Sequence, residues 1–187
     1  EVERTYRHTF GYSLGYLHTG FEFTDGNESE EGVDTIQIGG HNKYSSNGWT
    51  LRNDLTGRMS FHNVDRNMDW GQSGRSEMNG MYETYSITSD NILGKEIEIG
   101  KNTSITPYGA FRVMYATRPS FEEDGLESLQ VEGNDAWSVK PRVGIELKAA
   151  VPLGSKTAWQ LKGALDVGYE YELADLNVRE NARLTAI

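Results

Sequence analysis

Cysteine is absent from the 187 residues of this sequence, and no continuous apolar stretch is long enough to form a transmembrane helix. Without cysteine, neither a disulfide framework nor a thiolate metal site can form. A transmembrane helix needs roughly 18 or more consecutive apolar residues, so that class of membrane protein is excluded. A membrane-spanning β-barrel is not excluded, because its strands turn only every second side chain toward lipid.

Basic residues are too few and too scattered for a nucleic-acid-binding protein. The chain has 18 Lys and Arg against 28 Asp and Glu, a net charge of −10 and a pI of about 4.9. Binding to the phosphate backbone requires a clustered basic face, and the sequence contains none. We therefore predict that nucleic acid is not a partner.

The chain has no recognisable linker and no apolar segment of a signal peptide at its start. No Pro/Ser-rich stretch or shift in composition divides it, so we predict a single domain over residues 1–187. Residues 1–10 carry charges but no apolar core of a signal sequence. We expect either a cytoplasmic protein or an internal piece of a longer exported one.

Alternation of apolar and polar residues is the dominant pattern, and the helical period of 3.6 is nearly absent. In residues 137–151 the odd positions are mostly apolar and the even ones polar or small, and residues 159–173 repeat this pattern. Period two predicts β-strands. After Leu17 the apolar side chains change face, which indicates either a bulge or emergence from the apolar layer. The weaker strands of the same kind are predicted at 5–17, 33–44, 49–62, 81–99 and 105–117.

The connections between these seven predicted strands alternate in length. Short turns are predicted at 45–48, 100–104 and 152–156, and long connections at about 24–32, 63–80 and 118–135. An antiparallel meander with tight turns at one end and long loops at the other is typical of outer-membrane barrels. We therefore predict an all-β fold, an antiparallel up-and-down transmembrane β-barrel with about seven strands present.

This barrel would turn the two faces of each strand toward different media, and the strand lengths favour lipid over a soluble core. The predicted strands exceed the ~9–11 residues that cross a bilayer at a tilt, whereas strands of soluble folds cluster near five or six residues. The residues predicted to face the lumen are Arg52, Asp54, Arg58, Arg112, Lys140, Arg142, Glu146, Lys148, Lys162, Asp166, Glu170 and Glu172. The residues predicted to face lipid are Trp137, Val139, Val143, Ile145, Leu147, Trp159, Leu161, Leu165, Val167 and Tyr169.

Two alternatives remain open from the residues alone. A soluble lipocalin-like barrel or β-sandwich binding module would use the apolar row as its core. An outer-membrane hydrolase would need active groups near the outer rim, and the carboxylates of Asp54, Asp90 and Glu172 are its candidates. No motif that pairs a nucleophile with a base supports this second alternative.

The sequence predicts no metal and no cofactor. The histidines show no ligand spacing of a metal site, and the acidic runs at 27–31 and 121–124 lack the regular spacing of a calcium loop. A Gly-rich phosphate cradle after a strand is also missing. The histidines are His8, His18, His41 and His62.

Several stretches resemble the translocator domain of type V autotransporters. They are ITPYGAFRVMYAT at 105–117, then VGIELKAAVPLG, WQLKGALDVGYEYELADLN and ARLTA, with a looser likeness in HTFGYSLGYLHTGFEF and VDTIQIGGHNKYSSNGWTL. The resemblance implies a twelve-stranded barrel in the bacterial outer membrane, inserted by the barrel assembly machinery. It further implies a lumen that hosts an α-helical linker to a secreted passenger, with adhesins as common passengers.

On this resemblance the chain is a partial autotransporter β-barrel domain that exports, anchors and displays an N-terminal, adhesin-like passenger. The resemblance carries over no catalytic position, so no enzymatic activity is expected. Seven strands are an odd number, whereas bacterial single-chain barrels have an even one. We therefore expect about two further strands upstream and three downstream.

Overall fold

The structure is a computed structural model that describes residues 6–24, 28–69, 71–152, 160–174 and 181–184. Those residues form strands and one short 3-10 helix, Gly71–Ser73, without an α-helix. In this described part of the chain, no helix has the length and apolarity to cross a membrane. The strands are β1 (Tyr6–Glu22), β2 (Glu30–Ser46), β3 (Trp49–Asp69), β4 (Arg75–Lys95), β5 (Ile97–Gly100), β6 (Thr103–Arg118), β7 (Phe121–Glu122), β8 (Leu129–Val131), β9 (Asn134–Pro152), β10 (Gln160–Glu170) and β11 (Ala182–Leu184).

Seven long strands form one antiparallel sheet in the order β1-β2-β3-β4-β6-β9-β10, with β5 paired to β6. Every long strand therefore lies beside its predecessor in the chain, as an up-and-down meander requires. The sheet curls into half a barrel. The predicted all-β, up-and-down barrel class and the seven predicted strands are confirmed.

The turn between β2 and β3 shows why this hairpin is tight. Asn47 and Gly48 are its two loop residues, with φ of 51° and 78°. Positive φ at both positions defines the type I′ turn, which matches the twist of antiparallel strands and favours Asn-Gly. A second tight connection joins β5 to β6 at residues 101–102. Of the third predicted turn, 152–156, all but its first residue lies outside the described residues.

The change of face after Leu17 has no bulge behind it. The register of β1 and β2 runs without interruption from Tyr6 opposite Ser46 to Glu22 opposite Glu30. Of the two predicted alternatives, the bulge is therefore wrong. Phe21 follows the regular alternation and lies on the same face as Leu17, so the apolar pattern changes while the backbone geometry does not.

The predicted long loop at 63–80 is also wrong. Strands β3 and β4 stay paired from Asn63 opposite Met81 to Asp69 opposite Arg75, and only residues 70–74 connect them. Backbone hydrogen bonds between strands do not require alternating apolar and polar residues. A strand segment outside the apolar layer can therefore lack this alternation and still be paired. The hairpin therefore projects beyond its neighbours, since β2 pairs with β3 only as far as Asp65.

The apolar rows of the sheet are exposed instead of buried. Among the described residues only Val33, Met78 and Val131 are buried hydrophobic side chains, whereas Leu165 is 62% exposed and Tyr12 86% exposed. A soluble sandwich or ligand-binding barrel would bury such rows in a core. The described residues provide no such core, which contradicts the soluble alternative.

Candidate functional site

Continuous register across the sheet sorts the side chains into two faces. We call the face that carries Arg52, Asp90, Arg112, Arg142 and Asp166 the polar face, and the opposite one the apolar face. Because successive side chains in a strand point to opposite sides, cross-strand partners share a face. The predicted lumen residues of β3, β6, β9 and β10 all lie on the polar face.

The predicted lipid residues lie together on the opposite side of the same strands. Val143 is paired with Tyr169, Ile145 with Val167, and Leu147 with Leu165. Each of these side chains is exposed. Trp159 lies outside the described residues. The remaining predicted members of the apolar face are Trp137, Val139 and Leu161.

Two aspartates meet at the centre of the polar face and each is matched by an arginine. Asp54 and Asp90 are cross-strand partners on β3 and β4. Arg52 Nε lies 2.9 Å from Asp54 Oδ2, and Arg112 Nε donates to Asp90 Oδ2 at 2.7 Å. Each carboxylate is thereby neutralised beside its like-charged neighbour. Both aspartates that the hydrolase alternative requires are engaged in ion pairs.

Glu172, the third candidate of that alternative, follows the end of β10 and binds back onto β9. Ser138 Oγ donates to its Oε2 at 2.7 Å, the Val139 N–H donates to its Oε1 at 3.0 Å, and Lys140 Nζ lies 3.4 Å away. The hydrogen bond from Ser138 is the main cause that lowers the pKa of the Glu172 carboxyl. Hydrogen bonds to the charged form of an acid have this effect. Glu172 therefore joins the predicted polar face as an anchoring carboxylate.

Tyr108 on β6 lies over Gly144 of β9 and Gly168 of β10, an arrangement that the alternation within each strand does not predict. A Cβ at Gly144 would lie 2.5 Å from Tyr108 Oη, and one at Gly168 would lie 2.9 Å from it. Tyr108 Oη donates to Asp166 Oδ1 at 2.9 Å, and the Arg142 guanidinium, ion-paired to Asp166, lies 5.3 Å from the ring centroid. The sequence feature that could have indicated this packing is the occurrence of small residues at even positions of β9 and β10.

The other charged residues of the polar face either contact a polar neighbour or lie toward the ends of β10. Lys148 Nζ lies 2.7 Å from Glu146 Oε2. Arg58 Nε donates to Gln37 Oε1 at 2.8 Å. Lys162 and Glu170 lie near the two ends of β10 on this face. Basic and acidic groups thus occur together along the polar face.

The histidines are dispersed, and three of them have local polar partners. His8 Nε2 lies 2.5 Å from Asn42 Oδ1, His18 Nδ1 lies 2.8 Å from Asp34 Oδ1, and His62 Nδ1 lies 2.7 Å from Glu31 Oε1. Within the described ranges, no group of three or more His, Cys, Asp or Glu residues is arranged to hold a metal ion.

The comparison with known proteins assigns this two-faced sheet to a family. A search of curated proteins finds no match to the chain. The family model described as autotransporter β-domain matches residues 1–187, the whole of the sequence. Members of this family are outer-membrane β-barrel anchors of Gram-negative bacteria. The chain therefore belongs to the autotransporter β-domain family and has the role of an outer-membrane translocator.

Proposed function

We propose that this domain exports a passenger attached on its N-terminal side and anchors it at the cell surface, with the polar face lining the channel and the apolar face contacting lipid. The observation that carries this proposal is the coexistence of two unlike faces along all seven long strands. In a membrane-spanning β-barrel, the apolar outer side contacts hydrocarbon and the polar inner side contacts water. We infer that residues 1–187 act as one domain in this role.

Contact with lipid accounts for the exposure of the apolar face. Val143 is 63% exposed and Val167 66% exposed, near the middle of β9 and β10. In water such a contiguous apolar surface would favour association. In a bilayer the lipid chains contact this apolar surface, so no further layer of protein has to cover it.

A row of polar side chains crosses the apolar face, and hydrogen bonds between its members make lipid contact tolerable. Asn53 Nδ2 donates to Asn91 Oδ1 at 2.7 Å, and Asn42 Nδ2 donates to Asn53 Oδ1 at 3.4 Å. Unpaired polar groups are costly in hydrocarbon. Because these amides bind each other from strand to strand, the row is compatible with the proposed orientation.

Pairing of opposite charges along the polar face suits a channel for a polypeptide. The whole chain carries a net charge of −10, whereas the polar face combines arginines and lysines with aspartates and glutamates. A lining that is locally neutral neither holds nor repels a passing segment of either sign strongly. An adhesin-like passenger, an α-helical linker in the lumen and insertion by the barrel assembly machinery complete the proposal.

Cysteine labelling tests the assignment of the two faces, because residues 1–187 contain no cysteine of their own. Single cysteines at Arg142, Val143, Ile145 and Glu146 are compared in cells that produce the complete protein. We expect a water-soluble maleimide to label positions 142 and 146, and a membrane-restricted reagent to label positions 143 and 145. The same protein without an introduced cysteine provides the background. Uniform labelling by the aqueous reagent would contradict the orientation.

Protease treatment of intact cells tests export itself. An epitope is placed on the N-terminal side of the domain in the complete protein, and its loss on adding external protease is followed. We expect the epitope to be accessible only when the domain is inserted in the outer membrane. A periplasmic marker provides the control for cell integrity. An epitope that stays protected in cells with an inserted barrel would overturn the export role.

A further inference from the structure

The connection between β6 and β9 folds onto the polar face of the projecting β3–β4 hairpin. We call residues 119–133, which include β7 and β8, the cap loop. On the polar face the cap loop covers even positions of β3 and β4, namely Arg66, Met78, Gly80 and Tyr82. Along the free edge of β4, Asp124 of the cap loop also pairs with Asn79 through the backbone. The cap loop therefore lies on the same side of the sheet as the proposed channel.

An ion pair between the partly exposed Arg66 and the buried Glu123 holds the cap loop on the hairpin. Arg66 Nη2 donates to Glu123 Oε2 at 2.6 Å, and Arg66 Nε donates to Glu123 Oε1 at 3.1 Å. The Leu129 N–H also donates to Glu123 Oε2 at 2.9 Å, and Glu123 is only 6% exposed. Arg66 reaches further into the loop and donates to the Glu127 carbonyl at 2.9 Å. This bidentate geometry is specific to one seating of the loop.

Close packing surrounds the ion pair. Met78 is fully buried, and a Cβ at Gly125, whose φ is +136°, would lie 2.7 Å from the Glu77 carbonyl oxygen. The Tyr82 ring stacks on Phe121 of the cap loop, with 4.5 Å between centroids. The cap loop therefore approaches the hairpin backbone as closely as glycine permits.

Strand β11 joins this arrangement from the segment that follows β10. It pairs with β8, so that β11, β8 and β7 form a second sheet. The Glu132 N–H donates to the Asn181 carbonyl at 3.1 Å, and Arg183 Nε donates to Gln130 Oε1 at 2.8 Å. Two segments at the same end of the main sheet, the cap loop and the segment after β10, are thereby joined by hydrogen bonds.

We propose that the cap loop is a gate at the outer mouth of the channel, which is displaced while the passenger passes and is held closed afterwards by Arg66 and Glu123. This inference rests on the proposed export function. A loop on the channel side of the hairpin occupies space that a passing polypeptide needs. A paired charge suits a reversible contact, because both groups regain hydration when they separate, so the net gain from the intact pair is small.

The position of the gate can be read out by a disulfide between Asn79 and Asp124. The Asn79 N–H donates to the Asp124 carbonyl at 3.0 Å, and the Asp124 N–H donates to the Asn79 carbonyl at 2.8 Å. Residues paired in this way have Cα atoms about 5.5 Å apart, which lies in the range that a disulfide bridges. The double variant Asn79→Cys/Asp124→Cys should therefore cross-link only when the cap loop is seated.

The experiment compares the complete protein after export with the same protein stalled by a passenger domain that folds before it enters the channel. We expect the cross-link to form after export and to be lost in the stalled state. Asp65→Cys/Asn79→Cys is the matched control, because Asp65 and Asn79 are partners within the hairpin, and its cross-link should form in both states. An equal Asn79–Asp124 cross-link in both states would overturn the gate.

A third variant tests whether the Arg66–Glu123 ion pair is what holds the cap loop on the hairpin. Adding Glu123→Ala to the Asn79→Cys/Asp124→Cys protein should reduce the cross-link after export, while the Asp65–Asn79 control keeps its yield. An undiminished cross-link would show that the ion pair does not hold the cap loop closed. Failure of the parent protein without introduced cysteines to display any passenger would instead count against the proposed export function, so the two failures are distinguishable.

Discussion

Arginine in place of Leu165 is expected to reduce stable insertion of the barrel, whereas arginine at the adjacent Ala164 is expected to be tolerated. Leu165 lies in the middle of β10 on the apolar face, opposite Leu147. A basic side chain on the lipid side of a barrel costs roughly 2–4 kcal/mol near the bilayer midplane. That cost is a large part of the total stability of about 5–15 kcal/mol that is usual for folded proteins.

The measurement is the fraction of the complete protein that stays in outer membranes washed with urea. Ala164 is the matched control because it lies on the polar face, opposite Lys148, where an arginine meets water in the proposed channel. We expect Leu165→Arg to be depleted from the washed membranes and Ala164→Arg to be retained. Equal retention of both variants would show that Leu165 does not face hydrocarbon.

Valine in place of Gly144 is expected to destabilise the folded barrel through a clash with Tyr108. A Cβ at this position would lie 2.5 Å from Tyr108 Oη and 2.6 Å from its Cζ. The ring would have to turn away and give up its hydrogen bond to Asp166. Overpacking of this kind costs typically about 1–3 kcal/mol. Unfolding of the purified complete protein in urea, with lipid present, measures the loss.

A second substitution separates the clash from other effects of valine. Tyr108→Ala removes the ring, so Gly144→Val should cost much less in that background than in the natural one, and the double-mutant cycle gives the coupling between the two positions. Gly109→Val is the control on the apolar face, because nothing lies within 4 Å of a Cβ built there. An unchanged cost of Gly144→Val without the ring would contradict the proposed packing.

The strands and their two faces were accessible from local pattern. In residues 137–151 and in the described part of 159–173, the side-chain alternation marked both the strand and its sides, because the period of two is a property of each strand alone. The Asn47–Gly48 turn was accessible for the same reason, since its conformation depends on its own residues. The family match agrees with the resemblance read from these segments.

The projecting hairpin and the cap loop could not be predicted from the local sequence pattern. Residues 63–80 have no regular alternation, and the extended form of 63–69 and 75–80 depends on the backbone pairing of β3 with β4 and on contact with residues 119–133. Arg66 and Glu123 are 57 residues apart in the chain. Neither side chain carries a local signal that identifies the other.

The same contrast explains Tyr108. The chain alone specified that Gly144 and Gly168 belong to a strand face rich in small residues. Only the register of β6, β9 and β10 decided that one tyrosine ring fills the space above both glycines and meets Asp166, 58 residues further on. The residues next to each other in the chain determine where a strand forms. The contacts of Tyr108 arise between different strands, and the register of the whole sheet determines which residues meet.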